Sequence, residues 1–174
     1  MAAKSYIVYN SAMATTAAPV AQPTGTAIRT MMQLKPAAGF IIRPIAWGCS
    51  FDGISANTPG KVELIETGAI AATVTTAYVS ADIQPYGDAN APSQTTWGML
   101  TLGTTASGFA SASGTEGSIV ASRMADCQLI SPMNQYALQW PLGREFECNP
   151  SNYLRVRATF ATTVNMICWV IFEV

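Results

Sequence analysis

Residues 153–160 alternate apolar and polar side chains with a period of two. The apolar positions are Leu154, Val156, Ala158 and Phe160. The positions between them carry Tyr153, Arg155, Arg157 and Thr159. Successive side chains of a strand point to opposite faces, so this pattern predicts a half-buried β-strand.

Residues 164–174 predict a strand of a different kind. One face is wholly apolar and consists of Val164, Met166, Cys168, Val170, Phe172 and Val174. The opposite face is apolar in its middle, at Ile167, Trp169 and Ile171. A half-exposed strand should be polar there. Two interpretations stay open: a central strand buried on both faces within one subunit, or a strand whose second face lies at a subunit interface.

Shorter strand-like segments recur upstream, separated by turns rich in Gly and Pro. They cover residues 28–34, 40–51, 61–66, 70–79, 127–130, 136–140 and 145–148. No segment has a convincing helical period. About eight or nine short strands without helices predict an all-β sandwich or barrel. We assign residues 26–174 to one domain, because a chain of 174 residues leaves little for a second.

Two stretches interrupt the strand pattern. Apart from a strand-like run at 6–9, residues 1–25 consist mostly of small side chains and are interrupted by prolines. We expect them to form an N-terminal arm, either a flexible tail or an extension that adds to the sheet edge of a neighbouring subunit. Residues 80–118 are rich in Gly, Ala, Ser, Thr and Pro. We expect a long loop insertion there, outside the core.

The composition favours a protein that binds other protein subunits. Hydrophobic residues make up 49% of the chain and charged residues only 11%, against roughly a quarter in ordinary domains. Some apolar surface should therefore meet another subunit. The net charge of −1 and the lack of a basic cluster argue against direct binding to nucleic acid or to an anionic membrane.

No leader or spanning segment is recognised in the sequence, which predicts assembly in a cytoplasm. The cysteines are widely separated and form no CxxC pair. We expect them to be reduced, buried small hydrophobes rather than a disulfide framework; they are Cys49, Cys127, Cys148 and Cys168.

The chain contains no histidine. Ser–His–Asp and Cys–His catalysis and histidine-based metal sites are therefore excluded. Glu145 and Glu147 share one strand face and are the surviving candidates for carboxylate catalysis, but a solvated face beside Arg144 explains them better. Asp82 and Asp88 match no calcium-loop spacing. We predict a protein that is not an enzyme and has no cofactor or metal.

The C-terminal part of the chain resembles the small jelly-roll cement (decoration) proteins of tailed-phage capsids. The resemblance lies in the strand rhythm of residues 136–174, including Trp140-Pro141-Leu142, the stretch 145–157, and Trp169 to Glu173. It implies a jelly-roll-like antiparallel β-sandwich that forms a homotrimer. It also implies binding to the major capsid protein where capsid subunits meet, on the virion surface, after assembly in the host cytoplasm.

Two sets of residues are candidates for binding. We expect the subunit interface to include Ile167, Trp169 and Ile171, together with Tyr6, Ile7, Val8 and Tyr9 of the arm. The alternative function is a tail or fibre jelly-roll module that binds surface carbohydrate. In that case Tyr86 and Trp97, in the loop 80–118, would stack on sugars.

Overall fold

The computed structural model describes residues 4–13, 16–52, 58–112, 114–119 and 122–174. In chain order its strands are β1 (Ser5–Tyr9), β2 (Gln22–Pro23), β3 (Arg29–Leu34), β4 (Arg43–Asp52), β5 (Gly60–Thr67), β6 (Val74–Ala77), β7 (Gln84–Tyr86), β8 (Gly108–Ser111), β9 (Ser122–Ile130), β10 (Tyr136–Gln139), β11 (Tyr153–Thr159) and β12 (Asn165–Glu173). A 3-10 turn (Ser80–Asp82) and the one-turn helix α1 (Gln94–Trp97) complete the described elements.

The strands form two six-stranded antiparallel sheets that pack face to face. The first sheet has the order β10-β4-β12-β1-β7, with β2 pairing to β12. The second sheet has the order β6-β8-β3-β11-β5-β9. The prediction of an all-β, jelly-roll-like sandwich is therefore confirmed. Sheets that pack this way bury one face each and fill the space between them with alternate side chains.

The core is built from the apolar faces that the sequence pattern identified. On β11 the inward side chains are Leu154, Val156 and Ala158, and on β12 they are Met166, Cys168, Val170 and Phe172. Trp47 of β4 and Met32 and Leu34 of β3 complete the centre. In both C-terminal strands the two-residue period thus correctly predicted which side chains face the core.

Strand β1, in the segment predicted to be an arm, lies within the domain rather than extending away from it. Strand β1 lies between β12 and β7, and its register pairs Tyr6 with Phe172 and Val8 with Val170. Tyr6 and Val8 have exposed fractions of 0%. Burial of the apolar face of β1 removes it from water, and this stabilises the pairing of β1 within the sheet. The prediction that these two residues lie at a subunit interface is wrong, because they belong to the core of their own chain.

The segment 80–118 also differs from the predicted loop. It contributes β7 to the first sheet, and β8 to the second sheet between β6 and β3. Met99, Leu100 and Phe109 are buried in the core. One of the small residues that resemble a loop in sequence, Gly108, is required because β8 is crowded there. A Cβ atom at Gly108 would clash with the backbone oxygen of Thr76.

Replacing Gly108 with alanine is expected to lower the free energy of unfolding by about 2 kcal/mol, because overpacking forces the backbone to shift. The added Cβ would also meet Cγ2 of Val74 at 2.6 Å. Urea denaturation followed by tryptophan fluorescence measures the change. Gly25→Ala is the matched control, since the nearest atom to its added Cβ is 3.4 Å away. Equal effects of the two substitutions would contradict the crowded strand.

Other segments of the chain cover the outer face of the second sheet over its central strands, whereas the edge strand β9 is largely exposed. Arg155 points outward from β11 but has an exposed fraction of 0%. It donates hydrogen bonds to the backbone oxygens of Glu116 and Ile70. The neighbouring Gln33 side chain donates to Ala106 O at 2.7 Å and accepts from Ala72 N at 2.8 Å. The prediction that β11 is only half-buried is therefore wrong, because connecting segments bury its polar face as well.

Candidate subunit-binding surface on the first sheet

The outer face of the first sheet carries apolar side chains, of which Ile7, Tyr9 and Trp169 are half-buried and Ile171 is buried, with an exposed fraction of 7%. Strand register places Ile7 directly opposite Ile171, and Tyr9 directly opposite Trp169. Together with Tyr86 these four residues line a depression of about 340 Å³. We call these five residues the outer patch.

Trp169 lies over a glycine of the neighbouring strand. Gly48 of β4 pairs with Trp169 in register. A Cβ atom at Gly48 would lie only 2.7 Å from Cζ2 of the indole. Glycine in a strand interior often marks such a close approach. The tryptophan is thus seated on the β4 backbone, while part of its surface remains exposed to solvent.

Tyr86 closes one edge of the outer patch. Its strand β7 pairs with β1, with Tyr86 opposite Ser5, and the Ser5 hydroxyl donates to the Tyr86 carbonyl. The side chain of Tyr86 is 45% exposed. An ion pair between Lys4 and Asp88, at 2.5 Å, fastens the adjacent turn to the start of β1. The hydrogen bond from Lys4 lowers the pKa of Asp88, so this ion pair persists to more acidic pH than an unperturbed carboxylate would allow.

Ile167 extends the same face of β12 beyond Trp169. It is half-buried and pairs with Ser50 of β4. The interface residues predicted from sequence thus divide by strand face. Ile7, Tyr9, Ile167, Trp169 and Ile171 share the outer face, whereas the other two, Tyr6 and Val8, face the core.

Trp97 lies away from the outer patch. It ends the helix α1, and its ring centroid is 6.4 Å from that of Phe40. It packs partly buried against the core. The two aromatic residues predicted to stack on sugars are therefore not neighbours in the depression, because only Tyr86 lines it.

Polar residues surround the apolar centre. Ser5, Glu173 and Arg43 form one row across β1, β12 and β4, and Gln84 lies opposite Ile7. The Arg43 guanidinium donates to Glu147 Oε1 at 2.7 Å. An apolar centre containing Tyr and Trp, with a polar rim, is the usual anatomy of a protein–protein interface. The pairing of Gly48 with Trp169 was missed by the sequence reasoning, although a glycine inside a strand pattern was a usable signal.

The carboxylates considered for catalysis have ordinary structural partners. Glu147 is paired with Arg43, and Glu145 accepts a hydrogen bond from Gly143 N at 2.9 Å. Hydrogen bonds from the backbone at Glu145 and Gly143 lower the pKa of the Glu145 carboxyl, which favours the charged form over a general acid.

The described ranges contain no group of three Cys, Asp or Glu side chains arranged to hold a metal ion. They also contain no helix that is long and apolar enough to cross a membrane.

Comparison with known proteins gives no relative: no family model matches the chain, and neither a curated protein nor a solved structure matches it. The class that the geometry defines is a two-sheet β-sandwich whose second sheet is covered over its central strands and whose first sheet has a partly exposed apolar outer face.

Proposed function

We propose that this protein is a non-enzymatic structural subunit of a virion, a cement protein that binds where major capsid subunits meet and stabilises the shell. The observation that carries the proposal is the outer patch. Its apolar and aromatic residues lie on regular strands, so a partner would meet a rigid surface rather than a loop.

The contrast between the two outer faces supports a role in assembly. The second sheet buries even a guanidinium, that of Arg155, beneath its own connecting segments. The first sheet leaves Ile7, Tyr9 and Trp169 half-exposed in adjacent register positions. Burial of apolar surface on association contributes about 25 cal/mol per Å² before its entropic costs. A partner that covers the outer patch would gain this free energy of apolar burial.

The capsid role and the trimeric state rest on the resemblance of residues 136–174 to phage cement proteins. Strand β12, which carries Trp169 and Ile171, lies within that stretch. The low charged fraction of 11% suits close packing of many copies. We therefore place the contact between copies, or between a copy and the capsid, on the outer face of the first sheet.

Light scattering on the purified protein is the first test. A homotrimer would have three times the chain mass of 18.4 kDa. The second test is co-sedimentation with empty shells assembled from the virus's major capsid protein. Saturable binding, with a gain in the resistance of the shells to heat or chelators, is the expected result. Absence of binding to these shells would overturn the cement role.

A second candidate function is supported by one feature of the outer patch. Tyr9, Tyr86 and Trp169 bring three aromatic rings to one depression, and aromatic faces are suited to stacking on sugars. This favours a tail or fibre module that binds surface carbohydrate. Titration with host-surface glycans separates the candidates. Sugar binding that Tyr86→Ala abolishes, without any shell binding, would favour the carbohydrate module.

A further inference from the structure

Two of the four cysteines face each other across the central strands of the first sheet. Cys49 of β4 and Cys168 of β12 are direct partners in the antiparallel register. Both side chains point into the core, with exposed fractions of 2% and 0%. Both are free thiols.

The backbone hydrogen bonds show whether Cys49 and Cys168 are a hydrogen-bonded or a non-hydrogen-bonded pair of the antiparallel ladder. The N–H of Cys168 donates to Oδ1 of Asn10 at 2.8 Å, and its carbonyl accepts from the N–H of Asn10 at 3.0 Å. Asn10 follows β1, which lies on the opposite side of β12 from β4. In an antiparallel ladder the N–H and C=O of one residue point to the same side. Cys168 and Cys49 are therefore a non-hydrogen-bonded pair.

That geometry matches the requirement of a disulfide. Directly opposed residues of a non-hydrogen-bonded pair have Cα atoms about 4.5 Å apart, with their side chains brought close together. A disulfide spans Cα separations of roughly 4.4 to 6.8 Å. The register irregularity of this strand pair lies between Ile171 and Phe172, away from the cysteines.

The other two cysteines have different surroundings. Cys148 forms an isolated bridge with Ile42 and lies buried near Glu66. Cys127 is exposed on β9, opposite Glu63 of β5. The register therefore sets no other cysteine directly opposite Cys49 or Cys168.

We propose that Cys49 and Cys168 are a latent redox site that forms a cross-strand disulfide between β4 and β12 under oxidising conditions. The oxidant is a small disulfide such as oxidised glutathione. The thiolate of one cysteine attacks a sulfur of this disulfide and releases one small thiolate, leaving a mixed disulfide. The second cysteine thiolate then attacks the protein sulfur of that mixed disulfide and releases the second small thiolate. The two protons lost by the cysteines convert the released thiolates to thiols.

Burial determines when this exchange occurs. Removal from water raises the pKa of Cys49 to about 12 and that of Cys168 well above its usual value. The thiolate is the reactive form, so the closed sheet protects the pair. We expect the bond to form while β4 and β12 are still pairing during folding, or during rare openings of the sheet. Once formed, it would close a loop of more than one hundred residues and join the two strands that underlie Trp169.

The test is refolding of the full chain from urea in a glutathione redox buffer, followed by peptide mapping by mass spectrometry. The expected result is a soluble β-rich protein in which Cys49 and Cys168 are the dominant cross-linked pair. Its Tm should exceed that of the dithiothreitol-reduced protein by about 10 °C. In the native protein, Cys127 should form a mixed disulfide at least about tenfold faster than the buried pair reacts.

Matched variants make the result specific. Cys168→Ala should lose both the cross-link and the Tm gain, whereas Cys148→Ala, which removes a buried cysteine outside the pair, should keep both. If Cys168→Ala fails to fold, Cys49→Ala takes its place, and the mapping of the wild-type chain stands by itself. Free thiols at positions 49 and 168 after oxidative refolding would overturn the proposal. A cross-linked protein that is no more stable than the reduced one would also overturn it.

Discussion

Replacing Arg155 with alanine is expected to lower the free energy of unfolding by about 3–5 kcal/mol, because it breaks a buried charged network by removing one partner. The guanidinium lies beneath the segments that cover the second sheet. It donates to Glu116 O at 3.0 Å and to the carbonyl of Ile70, and it lies 3.6 Å from the Glu116 carboxylate.

The physical reason is the number of groups that depend on this one side chain. Burial lowers the pKa of Arg155 to about 10, so the guanidinium is still charged at neutral pH. Its removal leaves two carbonyl groups and a partly buried carboxylate without their cation. Unsatisfied buried acceptors each cost about 1–3 kcal/mol. Water would have to enter beneath the covering segments to replace the lost hydrogen bonds.

Urea denaturation measures the stability, and amide hydrogen exchange locates the effect. Exchange should accelerate first in residues 68–73 and 114–119, before it does so in the central strands. Arg144→Ala is the matched control, because Arg144 is exposed on the connection between β10 and β11. A loss below about 1 kcal/mol, as at ordinary surface sites, would show that these segments are held by other contacts.

The same residue shows the limit of sequence periodicity. The alternation of residues 153–160 correctly identified Leu154 and Val156 as core residues. It placed Arg155 on the face that was expected to meet solvent. A period of two distinguishes the two faces of a strand, but it does not show which other segments of the chain cover each face. The cover comes from segments some 40 to 85 residues away in sequence. Those segments are rich in small residues, and no local pattern shows that they pack over β11.

Strand β8 was not predicted from the sequence, for a related reason. Gly108 and Ala110 lack the β-branched and aromatic character that marks a strand. The position of β8 between β6 and β3 leaves no room for larger side chains at Gly108. Local propensity and tertiary crowding thus favour opposite residue types here, and crowding determines the observed sequence.

The outer patch could be predicted residue by residue but not as one surface. The apolar outer face of β12 was visible from Ile167, Trp169 and Ile171. That Ile7 and Tyr9 lie beside it depends on the pairing of β1 with β12, a contact across most of the chain. The same pairing turned Tyr6 and Val8 inward. Tyr86 joined the patch because β7 pairs with β1, which no local pattern reports.

Replacing Trp169 with alanine is expected to weaken self-association and shell binding by about 30-fold or more, as at an aromatic interface residue worth 2 kcal/mol. The proposed function leads to this expectation, since Trp169 is the largest side chain that lines the outer patch. The indole also covers Gly48. A smaller loss of stability, about 1 kcal/mol, should accompany the substitution as that contact is removed.

The comparison of the two effects distinguishes an interface residue from a core residue. Light scattering against protein concentration measures association, shell co-sedimentation measures binding, and urea denaturation measures stability. Leu142→Ala is the matched control, since this apolar residue is 94% exposed outside the patch, and it should change none of the three. If Trp169→Ala instead costs more than about 3 kcal/mol of stability, as a buried Trp does, and leaves association and shell binding unchanged, the outer face of β12 belongs to the monomer alone. The half-exposed register positions Ile7, Tyr9 and Trp169 would then have no partner to explain them, and the assembly role would lose its main support.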